Sequence, residues 1–374
     1  MTARSGIAGG GGPGEGLGAG QGRGIRGGSR ARRALQRPEG VVTLSHGSGG
    51  KASHALVETV FLKAFSNPAL APLNDGAVLK VGGLDLAFTT DSFVVSPIFF
   101  PGGCIGDLAV NGTVNDLAAC GAQPLALSAG FVIEEGFPVE ELDRVVAAMS
   151  AAAQRAGVPI VTGDTKVVQR GKGDGCYVNT SGIGLVDQRA PALSAGAARP
   201  GDAVLVSGPI GDHGTAVMLA RGELGISAEV VSDTAALNGL VAALIEAVGG
   251  DVHVLRDPTR GGVATVLNEI AAASGVGIIL EEGSLPVRAE VAGVCELLGI
   301  DPLYVACEGR MLAVVPGESA HDALRAMQAH PLGRQSAVIG RAEESPEGLV
   351  LEETSFGGSR VVDMLVGDPL PRIC

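Results

Sequence analysis

Five aspartates in the first half of the chain stand where a ligand could reach them. They are Asp75 in Asn-Asp-Gly, Asp91 in Thr-Thr-Asp-Ser, Asp107 and Asp116 in a run of small residues, and Asp164 in Thr-Gly-Asp-Thr-Lys. Hard oxygen ligands converging from strand ends are what Mg²⁺ bound to a nucleoside triphosphate requires. Taken singly, any one of them is better explained as a helix cap or turn residue. Asp107 and Asp116 are nine apart, two and a half helical turns, so they occupy opposite faces of one helix. Asp116, preceded by Asn115, is the expected ligand, and Asp107 is expected to face solvent or a partner.

The loop Gly47-Ser48-Gly49-Gly50-Lys51 opens a helix and could wrap phosphates with backbone N–H groups, helped by the Lys51 charge. The pattern is no Walker A box, and a plain helix-entry turn explains it equally well. Gly163-Asp164-Thr165-Lys166 follows an expected strand, which would set Lys166 near the carboxylates; a solvated strand-end lysine is the bland account. Glu308 falls in the turn Cys307-Glu308-Gly309-Arg310, where most glutamates are solvated and inert. Cys374 is sharper. A thiol on the last residue of a proline-stiffened tail is no core hydrophobe, and eight residues from Gly367 span at most about 25 Å. A carrier of a reacting group is favoured over an incidental exposed cysteine.

The 374 residues allow two ordinary domains. Residues 1–40 hold 14 of the 59 glycines and seven arginines against two glutamates, with no apolar periodicity, and are expected to be a disordered extension. Without them the net charge of −13 becomes −18, which argues against a nucleic-acid-binding body. No apolar run is long enough to span a membrane, and no secretory h-region follows Arg32-Arg33, so a cytoplasmic location with six reduced cysteines is expected.

Apolar spacing predicts helices after Lys51, over 106–120, from Pro138 to Ala156, and near 215–221, 235–248, 263–273, 289–298 and 319–329. Strands are expected near 77–81, 84–90, 125–133, 159–161, 177–186, 203–207, 278–281 and 311–315. The order suggests an α+β N-terminal domain over 41–198 and an α/β domain over 199–356, divided at Arg199-Pro200-Gly201-Asp202. Residues 357–374 form a final segment and tail.

Together these pieces resemble a known family. They are His46-Gly-Ser-Gly-Gly-Lys51, Thr90-Asp91-Ser92, Phe100-Pro-Gly-Gly103, Asn115-Asp116, Val161-Thr-Gly-Asp-Thr-Lys-Val-Val-Gln-Arg170, Gly211-Asp-His-Gly214, Asp257-Pro-Thr-Arg-Gly-Gly262 and terminal Pro371-Arg-Ile-Cys374. From about residue 41 onward the chain resembles the HypE family of hydrogenase maturation proteins, within the aminoimidazole ribonucleotide synthetase superfamily. The resemblance implies an α/β two-domain fold and a homodimer that pairs its N-terminal sheets. It implies that a carbamoyltransferase, HypF, loads Cys374, that ATP drives dehydration of the carbamoyl group to a thiocyanate, and that the nitrile passes to a HypC–HypD scaffold to become a cyanide ligand of iron. No nucleic-acid or membrane partner is implied.

By the same resemblance Cys374, Lys166 and Glu308 are catalytic, and Lys51, Gly49, Gly50, Asp91, Asn115, Asp116, Gly163 and Asp164 bind ATP. Asp75, Asp91, Asp116 and Asp164 hold Mg²⁺. Two positions depart from the family pattern: Cys307 and Arg310 replace Asn and Lys around Glu308, and Asn74 stands where a second Asp is common. Selenophosphate synthetases keep a reactive Cys near the N-terminal Gly-rich segment, whereas the first Cys here is Cys104. Aminoimidazole ribonucleotide synthetases need no terminal thiol. A non-catalytic thiol carrier ordered by ATP is the rival of a different class.

Overall fold

The computed structural model describes residues 40–190, 192–365 and 372–374. The N-terminal extension and the tail positions 366–371 lie outside them, so the expected disorder of the one and the extended course of the other are not addressed.

In the first half, α1 (Lys51–Leu56) runs on through a π-helical stretch to α2 (Lys63–Phe65). β1 (Ala77–Val81), β2 (Leu84–Phe93) and the short β3 (Phe99–Phe100) and β4 (Gly103–Cys104) lead into α3 (Ile105–Ala119). β5 (Ala122–Glu134), α4 (Val139–Ala156), β6 (Ile160–Val168) and β7 (Cys176–Val186) complete a five-stranded mixed sheet of order β1-β2-β7-β5-β6. α3 is buried almost throughout, which its small residues permit. A Cβ on Gly106 would stand 2.3 Å from the Val145 carbonyl of α4, and one on Gly112 2.8 Å from the Phe93 ring, so helix and strand backbones close in where side chains are absent.

The second half contains β8 (Asp202–Val206), α5 (Asp212–Ala220), α6 (Asn238–Val248), β9 (Val254–Arg256), α7 (Gly262–Ser274), β10 (Gly277–Glu281), α8 (Ala289–Leu298), β11 (Leu312–Pro316), α9 (Ala320–Ala329), β12 (Ala337–Glu343), β13 (Val350–Glu353) and β14 (Ser359–Val361). Its sheet runs β14-β13-β10-β12-β8-β11-β9. Alternate residues of β8 serve two cores: Val204 and Val206 pack with Val263, Leu267 and Ile270 of α7, and Ala203 and Leu205 with Leu240 and Leu244 of α6 and Met327 of α9. A strand buried on both faces reads as a continuous apolar run, which is how 203–207 was legible.

Three expectations change. The strand expected at 159–161 extends to Val168, so Asp164 and Lys166 lie within β6 rather than beyond it. β9, β12, β13 and β14 carry too few alternating residues to stand out. Asp107 is turned into the fold rather than to solvent: it accepts from the Cys104 N–H at the start of α3 and pairs with Arg155 of α4 at 3.1 Å. Among the described residues no helix is long and apolar enough to cross a membrane.

Candidate active site

Carboxylates from both halves meet at the end of α3. Asp75 arrives from the turn before β1, Asp116 from the last turn of α3, and Asp257 from the β9–α7 loop; each offers an oxygen within 4.8 Å of the others. The Thr89 hydroxyl lies 2.8 Å from Asp116 Oδ2, and Arg256 bridges Asp75 at 2.9 Å and Glu269 at 2.8 Å. Burial pushes Asp75 up to about 6, with Arg256 opposing, and Asp257 up to about 8, with Asp75 adding repulsion. Asp116 stands well above the carboxylate range through burial and then the charges of Asp257, Asp91 and Asp75. Asp75 Oδ2 is buried without a hydrogen-bond partner. Three repelling, desolvated carboxylates with a spare buried oxygen form a donor set for a hard divalent cation.

Asp91 of β2 faces the same space, a cavity of about 260 Å³ also lined by Asp75, Asp116, Asp257, Glu308 and Cys374. A second cavity of about 240 Å³ lies against Gly47, Ser48 and Ile373, and Arg260 and Cys374 line both. The Gly-rich segment is fitted to this junction. Gly49 has φ +79° and a Cβ there would stand 2.7 Å from the Arg260 carbonyl, while the Arg260 guanidinium donates to the Gly47 carbonyl at 3.0 Å. Gly50 backs onto the Leu365 carbonyl; Lys51 donates its N–H to that oxygen at 3.0 Å and pairs through Nζ with Asp363 at 2.6 Å.

Glu308 is 3% exposed, and burial, then Asp257 and Asp91, hold its carboxyl well above the usual range. Its loop is rigid: its N–H donates to Asp233 at 3.0 Å, its carbonyl accepts from Asn115 at 3.3 Å, and Arg310 pairs with Asp212 and Asp233. The Cys374 thiol is raised well above its ordinary value by burial and by Glu308, with Arg260 opposing. Far from hanging free, the end of the tail is seated in the site.

The structure thus brings together Asp75, Asp91, Asp116, Glu308 and Cys374 with Gly49, while Gly50 and Lys51 lie against Leu365 and Asp363. It does not bring in Asp164 and Lys166 of the same chain. The register runs Asp91 to Thr180, Thr180 to Ala129 and Ala129 to Gly163, so β6 lies three strands from Asp91, about 14 Å at ~4.8 Å per strand. By alternation Asp164 and Lys166 also stand on the opposite face, where they pair with each other at 2.6 Å in solvent. Gly163 packs on the Ala129 carbonyl, away from any phosphate site in this chain.

Within one chain it is Asp257, rather than Asp164, that stands with Asp75 and Asp116. Asn115, expected at the nucleotide, gives both amide hydrogens to the carbonyls of Ala235 and Glu308 and accepts from Leu237, so it braces the Glu308 loop instead. Asn74 is turned toward Leu193 and Ala195. Sequence reasoning missed Asp257, Arg256, Arg260 and Asp233; the run Asp257-Pro-Thr-Arg-Gly-Gly262 before a helix was the available signal.

Residues 73–186 match the AIR synthase related protein N-terminal domain and residues 199–351 the corresponding C-terminal domain. Carbamoyl dehydratase HypE of Rhizobium leguminosarum bv. viciae is 52% identical over 343 residues, covering 92% of this chain and 98% of that protein. A crystal structure of the HypE–HypF complex aligns with TM-score 0.79 and 50% identity over 83% of this chain and all of the other (100%). One of the hydrogenase maturation protein HypE in complex with ATP aligns with TM-score 0.75 and 50% identity, over 89% and 100%.

Fold and site define a two-domain α/β protein of the AIR synthase-related class. Within that class the chain belongs to the carbamoyl dehydratase HypE family of hydrogenase maturation enzymes.

Proposed function

We propose that this chain uses Mg·ATP to dehydrate a carbamoyl group carried on Cys374 to a thiocyanate, for the cyanide ligands of [NiFe]-hydrogenase. The observation that carries this is the seating of Cys374 in one cavity with Glu308, Asp91 and the carboxylate cluster. A carboxamide oxygen is a poor leaving group. Transfer of the γ-phosphoryl to it makes it leave as phosphate, while both N–H protons are lost and C≡N forms, so that carbamoyl thiol and ATP become thiocyanate, ADP, phosphate and a proton.

Asp75, Asp116 and Asp257 would hold Mg²⁺, with Asp91 beside them, and the ion would neutralise charge on the transferring phosphoryl. The Gly49–Lys51 segment would cradle phosphates, Lys51 exchanging Asp363 for them. Glu308, whose proton affinity burial raises, would take a nitrogen proton. The tether converts an encounter between two molecules into a local one.

Support for a homodimer comes from the outer face of the first sheet, where Leu79, Phe88, Val132, Ile183 and Leu185 are exposed. Lys166 shares that face, and we assign its catalytic role, with Asp164 and Gly163, across the dimer, the partner subunit's Lys166 serving the site. HypF as the loading partner follows the related HypE–HypF complex, and transfer to HypC–HypD completes the sequence. Six free cysteines suit a reducing cytoplasm.

The test is to carbamoylate the chain with its transferase, add Mg·ATP and weigh the C-terminal peptide. Loss of one water is expected; a carbamoyl adduct that persists under turnover conditions refutes the dehydratase.

A further inference from the structure

The last three residues are held by contacts that the chemistry above does not use. Val94 donates its N–H to a terminal carboxylate oxygen of Cys374 at 3.0 Å and Ser96 donates to the Arg372 carbonyl at 3.2 Å, so the tail backbone is tied to the segment after β2 although Arg372, at φ +55°, is not extended as a strand. The intervening carbonyl, that of Ile373, takes no bond from this segment. Ile373 is 4% exposed and packs in the core cluster that includes Val95, Val305 and Ala306, so this oxygen needs a donor inside the protein.

His213, in the first turn of α5, supplies it, with Nε2 2.7 Å from the Ile373 oxygen. A carbonyl only accepts, so Nε2 carries the hydrogen. Burial pulls the ring's pKa down to about 4, which keeps it neutral and leaves Nδ1 as an acceptor for the Ser232 hydroxyl at 2.8 Å. Ser232 Oγ in turn accepts from the Thr234 N–H at 3.1 Å. Phe100 closes on the imidazole edge-on, centroids 5.4 Å apart. Arg221 adds a second tie, donating to the Arg372 carbonyl at 3.0 Å and to Ser96 at 2.9 Å.

We propose that His213 is a positioning residue that locks the docked tail: through the Ile373 carbonyl it sets where the Cys374 sulfur stands relative to Glu308 and Asp91. The lock reads backbone rather than the Arg372 side chain, which pairs separately with Asp174. Its significance rests on the carrier role proposed for Cys374, but its test needs neither ATP nor a carbamoyl group. Failure of the lock is therefore distinguishable from failure of the dehydratase.

The experiment is residue-resolved alkylation of the full chain by N-ethylmaleimide, followed by peptide mass. Losing one hydrogen bond of this kind in His213→Ala is expected to speed alkylation of Cys374 about tenfold. Cys104, Cys120, Cys176, Cys295 and Cys307, all buried, act as the control for general loosening and should keep their rates. His213→Gln, whose amide can still donate, should recover part of the protection. An unchanged Cys374 rate, or a rise shared by all six thiols, overturns the lock. If His213→Ala does not fold, Ser232→Ala, which frees the ring to turn, should raise Cys374 alone by a smaller factor; no rise there overturns it equally.

Discussion

The two faces of the first sheet hold the same residue types in opposite physical states. On the α3 side Asp75, Asp91 and Asp116 are desolvated, joined by Asp257 from the second half, and raised in pKa by burial, with repulsion from neighbouring carboxylates adding at Asp75, Asp116 and Asp257. On the outer side Asp164 is exposed, ion-paired with Lys166, and held below the usual carboxylate range by that hydrogen bond. A carboxylate is therefore suited to hold a cation here through the company burial forces on it, whereas a solvated pair is worth little by itself. In the proposed homodimer the outer face would gain chemical meaning through the second copy that covers it.

The largest effect that can sharpen this contrast is at the thiol and its neighbour. Cys374→Ala should abolish loading while ATP binding persists, and Glu308→Gln should keep loading but lower dehydration by about 10²–10⁴-fold, read as the rate of water loss from the C-terminal peptide. Lys166→Ala should also inactivate a homodimer, although Lys166 stands far from Glu308 of its own chain. Co-expressed Lys166→Ala and Glu308→Gln chains should then regain roughly a quarter of wild-type activity through random pairing, since half the dimers carry one intact composite site. No recovery would place Lys166 outside the site.

Cation affinity should separate the faces next. Asp257→Asn should weaken Mg²⁺ binding on the order of 10–100-fold by calorimetry, against little change for Asp164→Asn in the isolated protomer. The smallest effect is a pH dependence. Asp75 and Asp257 are raised from 3.8 to about 6 and about 8, so the folded chain binds more protons than the unfolded one between about pH 4 and 8. Without a cation their contribution to stability falls as pH rises through that window. Mg²⁺ competes with those protons, so it should raise Tm more at pH 8 than at pH 5.5; equal increments would show that the cluster is not the cation site.

Legibility in the sequence followed the range of the interactions involved. α4 was plain because Val145, Met149 and Ala153 repeat on one face of an eighteen-residue helix, and β8 because residues 203–206 are all apolar. β9, three residues long, carries no period, yet it delivers Arg256 and Asp257 to the site. Asp164 looked equivalent to Asp91, since each stands next to a threonine at an expected strand. Which face each took depended on pairing through β7 and β5, which no local pattern records.

The sequence alone determined which groups are available: a thiol in a proline-flanked segment, aspartates beside small residues, and a glycine-rich run over residues 47–50. Those are properties of residue type and neighbours. The tertiary structure decided the partnerships, setting Asp257 against Asp75, Asn115 under Glu308, and His213 on the tail while leaving Lys166 on the far face. Proton affinity and cation binding depend on distances between residues remote in the chain and on the water excluded around them, and only folding sets both.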